Sequence, residues 1–107
     1  MKIYLINQYN SNLYKIGITK RNIKYRLKEI QTCNGNKVDY IFLFDTKYDR
    51  ILETALHKKY YPAQTIGEWF ELTDDQVNEF LNECKKIEQT FDFLMENNSW
   101  VQKYNKF

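Results

Sequence analysis

Hydrophobic and polar positions along this chain change period several times, and the changes mark its elements. Lys2-Ile3-Tyr4-Leu5-Ile6 is rich in β-branched and aromatic types and reads as a strand. Residues 7–12 are polar and turn-like, and Leu13-Tyr14-Lys15-Ile16-Gly17-Ile18 reads as the returning strand of a hairpin. Asn22 is placed to cap a helix in which Ile23, Leu27 and Ile30 fall three and four residues apart, ending near Asn34-Gly35. A third strand is expected over residues 38–46. Its centre, Tyr40-Ile41-Phe42-Leu43-Phe44, is apolar at every position, which predicts burial on both faces. Residues 48–60 predict a second helix with Ile51, Leu52, Ala55 and Leu56 as its core stripe, stopped by Pro62. Glu68-Trp69-Phe70-Glu71-Leu72 is a short extended piece. Thr73 with Gln76 three residues later forms a capping box, opening a helix that carries Val77, Phe80, Leu81, Cys84, Ile87, Phe91 and Leu94. The order β-β-α-β-α-β-α predicts an α/β (α+β) sandwich, a small antiparallel sheet covered by helices.

Length and composition narrow the chemistry. At 107 residues the chain is expected to form one domain over 1–107, and no Pro/Gly/Ser-rich linker, repeat or low-complexity stretch divides it. Aromatic residues make up 17%, which argues for a packed core. The three glycines, Gly17, Gly35 and Gly67, lie too far apart for a dinucleotide or phosphate loop. One histidine and two cysteines, Cys33 and Cys84, cannot supply a four-ligand structural zinc site, and no motif supports a Cys–His nucleophile. No run approaches the ~20 apolar residues of a membrane span. With no signal peptide, the cysteines are expected to be reduced and the compartment cytoplasmic. Asn97-Asn98-Ser99 fits a glycosylation pattern only by coincidence in that setting.

Charge changes the picture more. Residues 1–62 carry twelve Lys/Arg against five Asp/Glu, a net of +7, whereas residues 63–107 carry a net of −5. A basic half beside an acidic half is expected of a surface that faces a polyanion. Lysine outnumbers arginine 13 to 3, which favours phosphate contact over bidentate base reading.

Two constellations bring chemistry. With residues 7–12 as the loop, Ile6 pairs with Leu13, Leu5 with Tyr14, and Tyr4 with Lys15. An ammonium beside the Tyr4 phenol would lower its pKa. On the second helix, Arg50, Glu53 and His57 share a stripe opposite Ile51, Leu52, Ala55 and Leu56. On spacing alone Glu53 and His57 are a solvated i,i+4 pair, or Glu53 is a hard-oxygen ligand to a divalent cation.

Ile3-Tyr4-Leu5, Lys15-Ile16-Gly17, Arg26-Leu27-Lys28, Glu53 with Leu56-His57, and Gly67-Glu68-Trp69-Phe70 together resemble the GIY-YIG nucleases in a compact form common in bacteriophage reading frames. The resemblance spans residues 2–73, leaving the C-terminal helix and the tail beyond residue 90 outside it. Lys2 departs from the first glycine of that signature. Lys15 stands where most members carry a second tyrosine, although some restriction-type members carry lysine there. The resemblance implies a DNA endonuclease or nickase in which Glu53 holds Mg²⁺ or Mn²⁺ and Arg26 grips the scissile phosphate. Tyr4, tuned by Lys15, would take a proton from the attacking water. Tyr14 would border the site, and His57 would relay a proton, bind phosphate, or do neither. The partner implied is DNA, in a bacterial or phage-infected cytoplasm; at 107 residues, weak specificity, structure-guided cleavage, or targeting by a protein partner or a homodimer is expected. Two rival readings stand beside it: a catalytically lapsed nucleic-acid-binding module of the same fold, and a small adaptor or inhibitor that uses the acidic last helix.

Overall fold

In the computed structural model, which describes residues 1–97, the sheet is built around its first strand. β1 (Lys2–Gln8) is hydrogen-bonded on one side to β2 (Leu13–Thr19) and on the other to β3 (Val38–Asp45). A three-residue β4 (Trp69–Glu71) pairs with β2, giving the all-antiparallel order β3-β1-β2-β4. Because β1 is central, successive residues Ile3, Tyr4, Leu5 and Ile6 are all fully buried, alternately on the two faces.

One face packs against α2 (Asp49–Lys59) and α3 (Asp74–Asn97), with Ile3, Leu5, Ile16, Leu52, Leu56, Phe70, Phe80 and Cys84 in a single cluster. The opposite face packs against α1 (Ile23–Thr32), where Tyr4, Ile6, Ile23, Ile30 and Val38 are buried together. The expected sandwich and element order are both present. Asn22 caps α1 by accepting from the Lys24 amide at 2.9 Å. Thr73 and Gln76 exchange side-chain-to-amide bonds of 2.9 and 3.2 Å at the start of α3, completing the capping box. A single 3-10 turn (Tyr61–Ala63) containing Pro62 follows α2.

Two expectations fail. The third strand is not buried on both faces, because it is a sheet edge: Tyr40 and Ile41 are exposed, while Phe42, Phe44 and Leu43 are only partly covered from opposite sides. A bulge opposite Leu5/Ile6 also interrupts its ladder with β1. Ile51 does not join the core stripe of α2, which rests on Leu52 and Leu56; Ile51 is exposed. Residues 98–107, including Asn98 and Ser99 of the glycosylation-like triplet and the end of the tail, lie outside the described residues.

Candidate functional site

The short reach of β4 creates the site. Its pairing with β2 ends at Lys15 opposite Trp69, so the C-terminal half of β2 has no strand on that side. The Ile16 amide still donates to the Glu68 carbonyl at 3.2 Å. The Ile16 carbonyl is instead hydrogen-bonded to His57 Nε2, at 2.9 Å. A carbonyl only accepts, so Nε2 must carry the proton. The His57 ring is further fixed edge-on against Phe70, 5.1 Å between centroids.

Onto this gap α2 delivers Glu53 and His57, one turn apart, and the loop before β4 delivers Glu68 just after Gly67, whose φ of +57° suits glycine. One ligand atom from each of Glu53, His57 and Glu68 lies within 4.8 Å of the other two. Two hard carboxylate oxygens with an imidazole nitrogen are a donor set that suits a divalent cation. Lys15 Nζ sits 3.1 Å from Glu68 Oε2 and 5.7 Å from the centre of the Trp69 ring. Burial raises the Glu53 carboxyl above its ordinary value, and the Glu68 charge adds to this, while His57 and Lys15 oppose it.

From the other face of the sheet comes Tyr4. It stands opposite Gly17, not Lys15, and a Cβ on Gly17 would lie 2.3 Å from the Tyr4 hydroxyl oxygen. The phenol crosses β2 where there is no side chain to stop it. Its hydroxyl is buried with no hydrogen bond of ordinary geometry, although Arg26 lies close enough to act on it. The Arg26 guanidinium lies over its ring, 6.0 Å from the centroid, and Arg26 Nη1 also pairs with Glu29 Oε2 at 3.2 Å. Two surface hollows share these residues. Glu53, His57, Lys58 and Tyr61 line one of about 440 Å³, and Lys15, Arg26 and Trp69 line another of about 390 Å³.

Of the residues proposed from sequence, the structure brings together Tyr4, Lys15, Arg26, Glu53 and His57. Three details are corrected. First, the hairpin register differs by two residues, with Ile6 opposite Lys15 and Asn7 opposite Tyr14, because Asn7 and Gln8 belong to the strand rather than to the loop. Second, the Tyr4 pKa is raised, not lowered. Burial dominates, and the cation that opposes it is Arg26, while Lys15 is engaged by Glu68. Third, Tyr14 does not share a face of the sheet with Tyr4 and Lys15. It alternates to the other face of β2, against the α2–α3 cluster, where burial and the Asp74 charge raise its phenol pKa. Arg50, on the same predicted stripe as Glu53, is exposed and lines a separate hollow with Ile51 and Ala55. Glu68 is the member that spacing missed; its signal was its place in Gly67-Glu68-Trp69-Phe70.

No curated protein and no solved structure matches the chain significantly. The T5orf172 domain model matches residues 1–85. That match overturns the resemblance to the GIY-YIG nucleases, because every short segment that carried the likeness falls inside a distinct, phage-associated domain. Each of those segments is only a few residues long, and most of their positions serve strand cores and helix stripes that other sandwiches also need. The match covers most of the chain, and the chain belongs to the T5orf172 domain family.

Proposed function

We propose that this chain is a phage-type DNA-processing module that hydrolyses phosphodiester bonds with the help of a divalent cation. The observation that carries this reading is the convergence of Tyr4, Lys15, Arg26, Glu53, His57 and Glu68, from five segments of the chain, on the gap beside β2. Diester hydrolysis needs a cationic grip on the phosphate, anionic ligands for a metal, and a group that orients water, and these are the groups assembled.

Glu53 would hold Mg²⁺ or Mn²⁺. When bound, such an ion neutralises charge on the phosphate and on the leaving oxygen. Arg26 offers a planar fork to the phosphate, exchanging its contact with Glu29 for the substrate. Tyr4 stays a neutral phenol at physiological pH, so its buried hydroxyl orients the attacking water or a phosphate oxygen. Exposed Lys20, Arg21 and Lys24, at the start of α1, supply contact with the DNA backbone.

A second reading, a binding module without catalysis, draws on the ion pairs Lys15–Glu68 and Arg26–Glu29, which already occupy both cations. Plasmid nicking with and without Mg²⁺ or Mn²⁺ separates the two. Wild type should nick only with the cation, and Glu53→Ala should lose cleavage while keeping DNA affinity. Full cleavage by Glu53→Ala, or by wild type in excess EDTA, would remove the metal-assisted reading. DNA binding with no cleavage under any cation would establish the binding module.

A further inference from the structure

The donors around His57 specify more than a generic magnesium contact. Magnesium takes oxygen ligands and retains its waters, and a single carboxylate is enough to anchor it. Here two donors from one turn of α2, Glu53 and His57, and a third, Glu68, from the loop before β4 come to within 4.8 Å of one another, and the imidazole is held with Nε2–H on a backbone carbonyl. Nε2–H is committed to the Ile16 carbonyl and the ring edge is held by Phe70, so the lone pair of His57 sits on Nδ1. Donation from the second ring nitrogen to a backbone carbonyl is how metal-ligating histidines are commonly oriented. Glu68 is likewise oriented: Oε2 is held by Lys15, which leaves Oε1 available. Beside this cluster the Tyr4 side chain is fully buried, and its hydroxyl makes no hydrogen bond of ordinary geometry; Arg26 acts on it from one side, and the charges of Glu53 and Glu68 also reach it.

We infer that Glu53, His57 and Glu68 form a three-ligand site for a first-row transition cation, Mn²⁺ or Zn²⁺, with His57 Nδ1 as the nitrogen ligand. This deepens the reading above by naming two further ligands and the class of metal. Three protein ligands leave coordination positions open for water or a phosphate oxygen, as in catalytic rather than structural sites. Imidazole nitrogen favours such cations over Mg²⁺. Among the described residues no other group of three or more His, Cys, Asp or Glu side chains is placed to hold an ion.

The chain contains one histidine, so a single imidazole spin system reports on the site. Zinc titration of the ¹⁵N-labelled full chain, followed by long-range ¹H–¹⁵N correlation, should move the Nδ1 resonance at one equivalent while Nε2 stays protonated. About a hundredfold excess of Mg²⁺ should leave that shift in place. Glu53→Gln and Glu68→Gln should each weaken the binding at least about tenfold. An absent shift, a shift with loss of the Nε2 proton, or a titration unchanged by both Gln variants (zinc on a lone histidine) would overturn the assignment. The wild-type spectrum decides by itself if either variant does not fold. Nicking with Mg²⁺ but no zinc response would remove this site and keep the proposed activity; a zinc response without nicking under any cation would do the reverse.

Discussion

Replacing Gly17 with alanine tests the crossing of Tyr4 over β2. The added methyl would lie 2.3 Å from the hydroxyl oxygen, 2.4 Å from Cζ and 2.9 Å from Cε1 of Tyr4. Carbon atoms sit comfortably at about 3.5–4.0 Å, so the ring would have to retreat by more than about 1 Å. It has nowhere to go, being fully buried among Ile6, Ile23 and Ile30. Overpacking of this kind costs about 1–3 kcal/mol. The opposing gain from a stiffer unfolded chain, about 0.4–1 kcal/mol, is too small to cancel it. Urea unfolding should therefore show Gly17→Ala destabilised by about 1–2 kcal/mol. In a Tyr4→Leu background the same substitution should cost almost nothing, because the ring it collides with is gone. A displacement of about 1 Å at a positioning group is also worth roughly 10²-fold in rate, so any nicking should fall by about that factor in Gly17→Ala. Equal costs in the two backgrounds would refute the crossing, as would Gly17→Ala melting within about 0.5 kcal/mol of wild type.

Two more outcomes follow from the charge and the burial. If the basic half lies on DNA, log affinity should fall linearly with log salt, and replacing Lys20, Arg21 and Lys24 with serine should flatten that slope by roughly 2–3. The same change at Lys85 and Lys86 should barely alter it, and a flat salt dependence in wild type would point to a protein partner. In the core, burial pushes the Tyr60 phenol and the Cys84 thiol each up to about 12, from ordinary values of 10.0 and 9.0. The unfolded chain loses these protons first while the folded chain retains them, so stability is complete below about pH 9 and declines as pH rises towards 12. A urea midpoint constant from pH 8 to 12 would contradict that account.

The parts of the fold that were legible in the sequence are those set by neighbours in the chain. Asn22, the Thr73–Gln76 pair, and the helix stripes of Leu27, Leu52, Leu56 and Phe80 act within a turn or two, and each is where its spacing put it. Strand order is not local, so the apolar run from Tyr40 to Phe44 looked like a central strand although it forms an edge. The hairpin register failed because polar Asn7 is recruited into the strand. Its Nδ2 bonds the Ser11 and Leu13 carbonyls, and Asn10 turns the chain at φ +55°. A two-residue slip preserves the faces, so Lys15 stayed on the Tyr4 side while its partner changed. Glu68 escaped notice because only the pairing of β2 with β4, far apart in the chain, brings it to Lys15.

The brevity of β4 also bears on the order in which the molecule comes apart. β1 is joined to β2 by a local hairpin, whereas β4 joins the sheet through three residue pairs that close a loop of more than fifty residues. Three ladder pairs supply little hydrogen bonding, and elements held by few bonds open at lower free energy than the core they dock on. Undocking β4 would carry Glu68 away from Lys15 and from His57 while leaving Ile3, Leu5 and Ile16 packed beneath α2. The cluster would thus disassemble in a sub-global opening that the hairpin survives, and amide exchange at Trp69 and Phe70 would run ahead of exchange at Leu5.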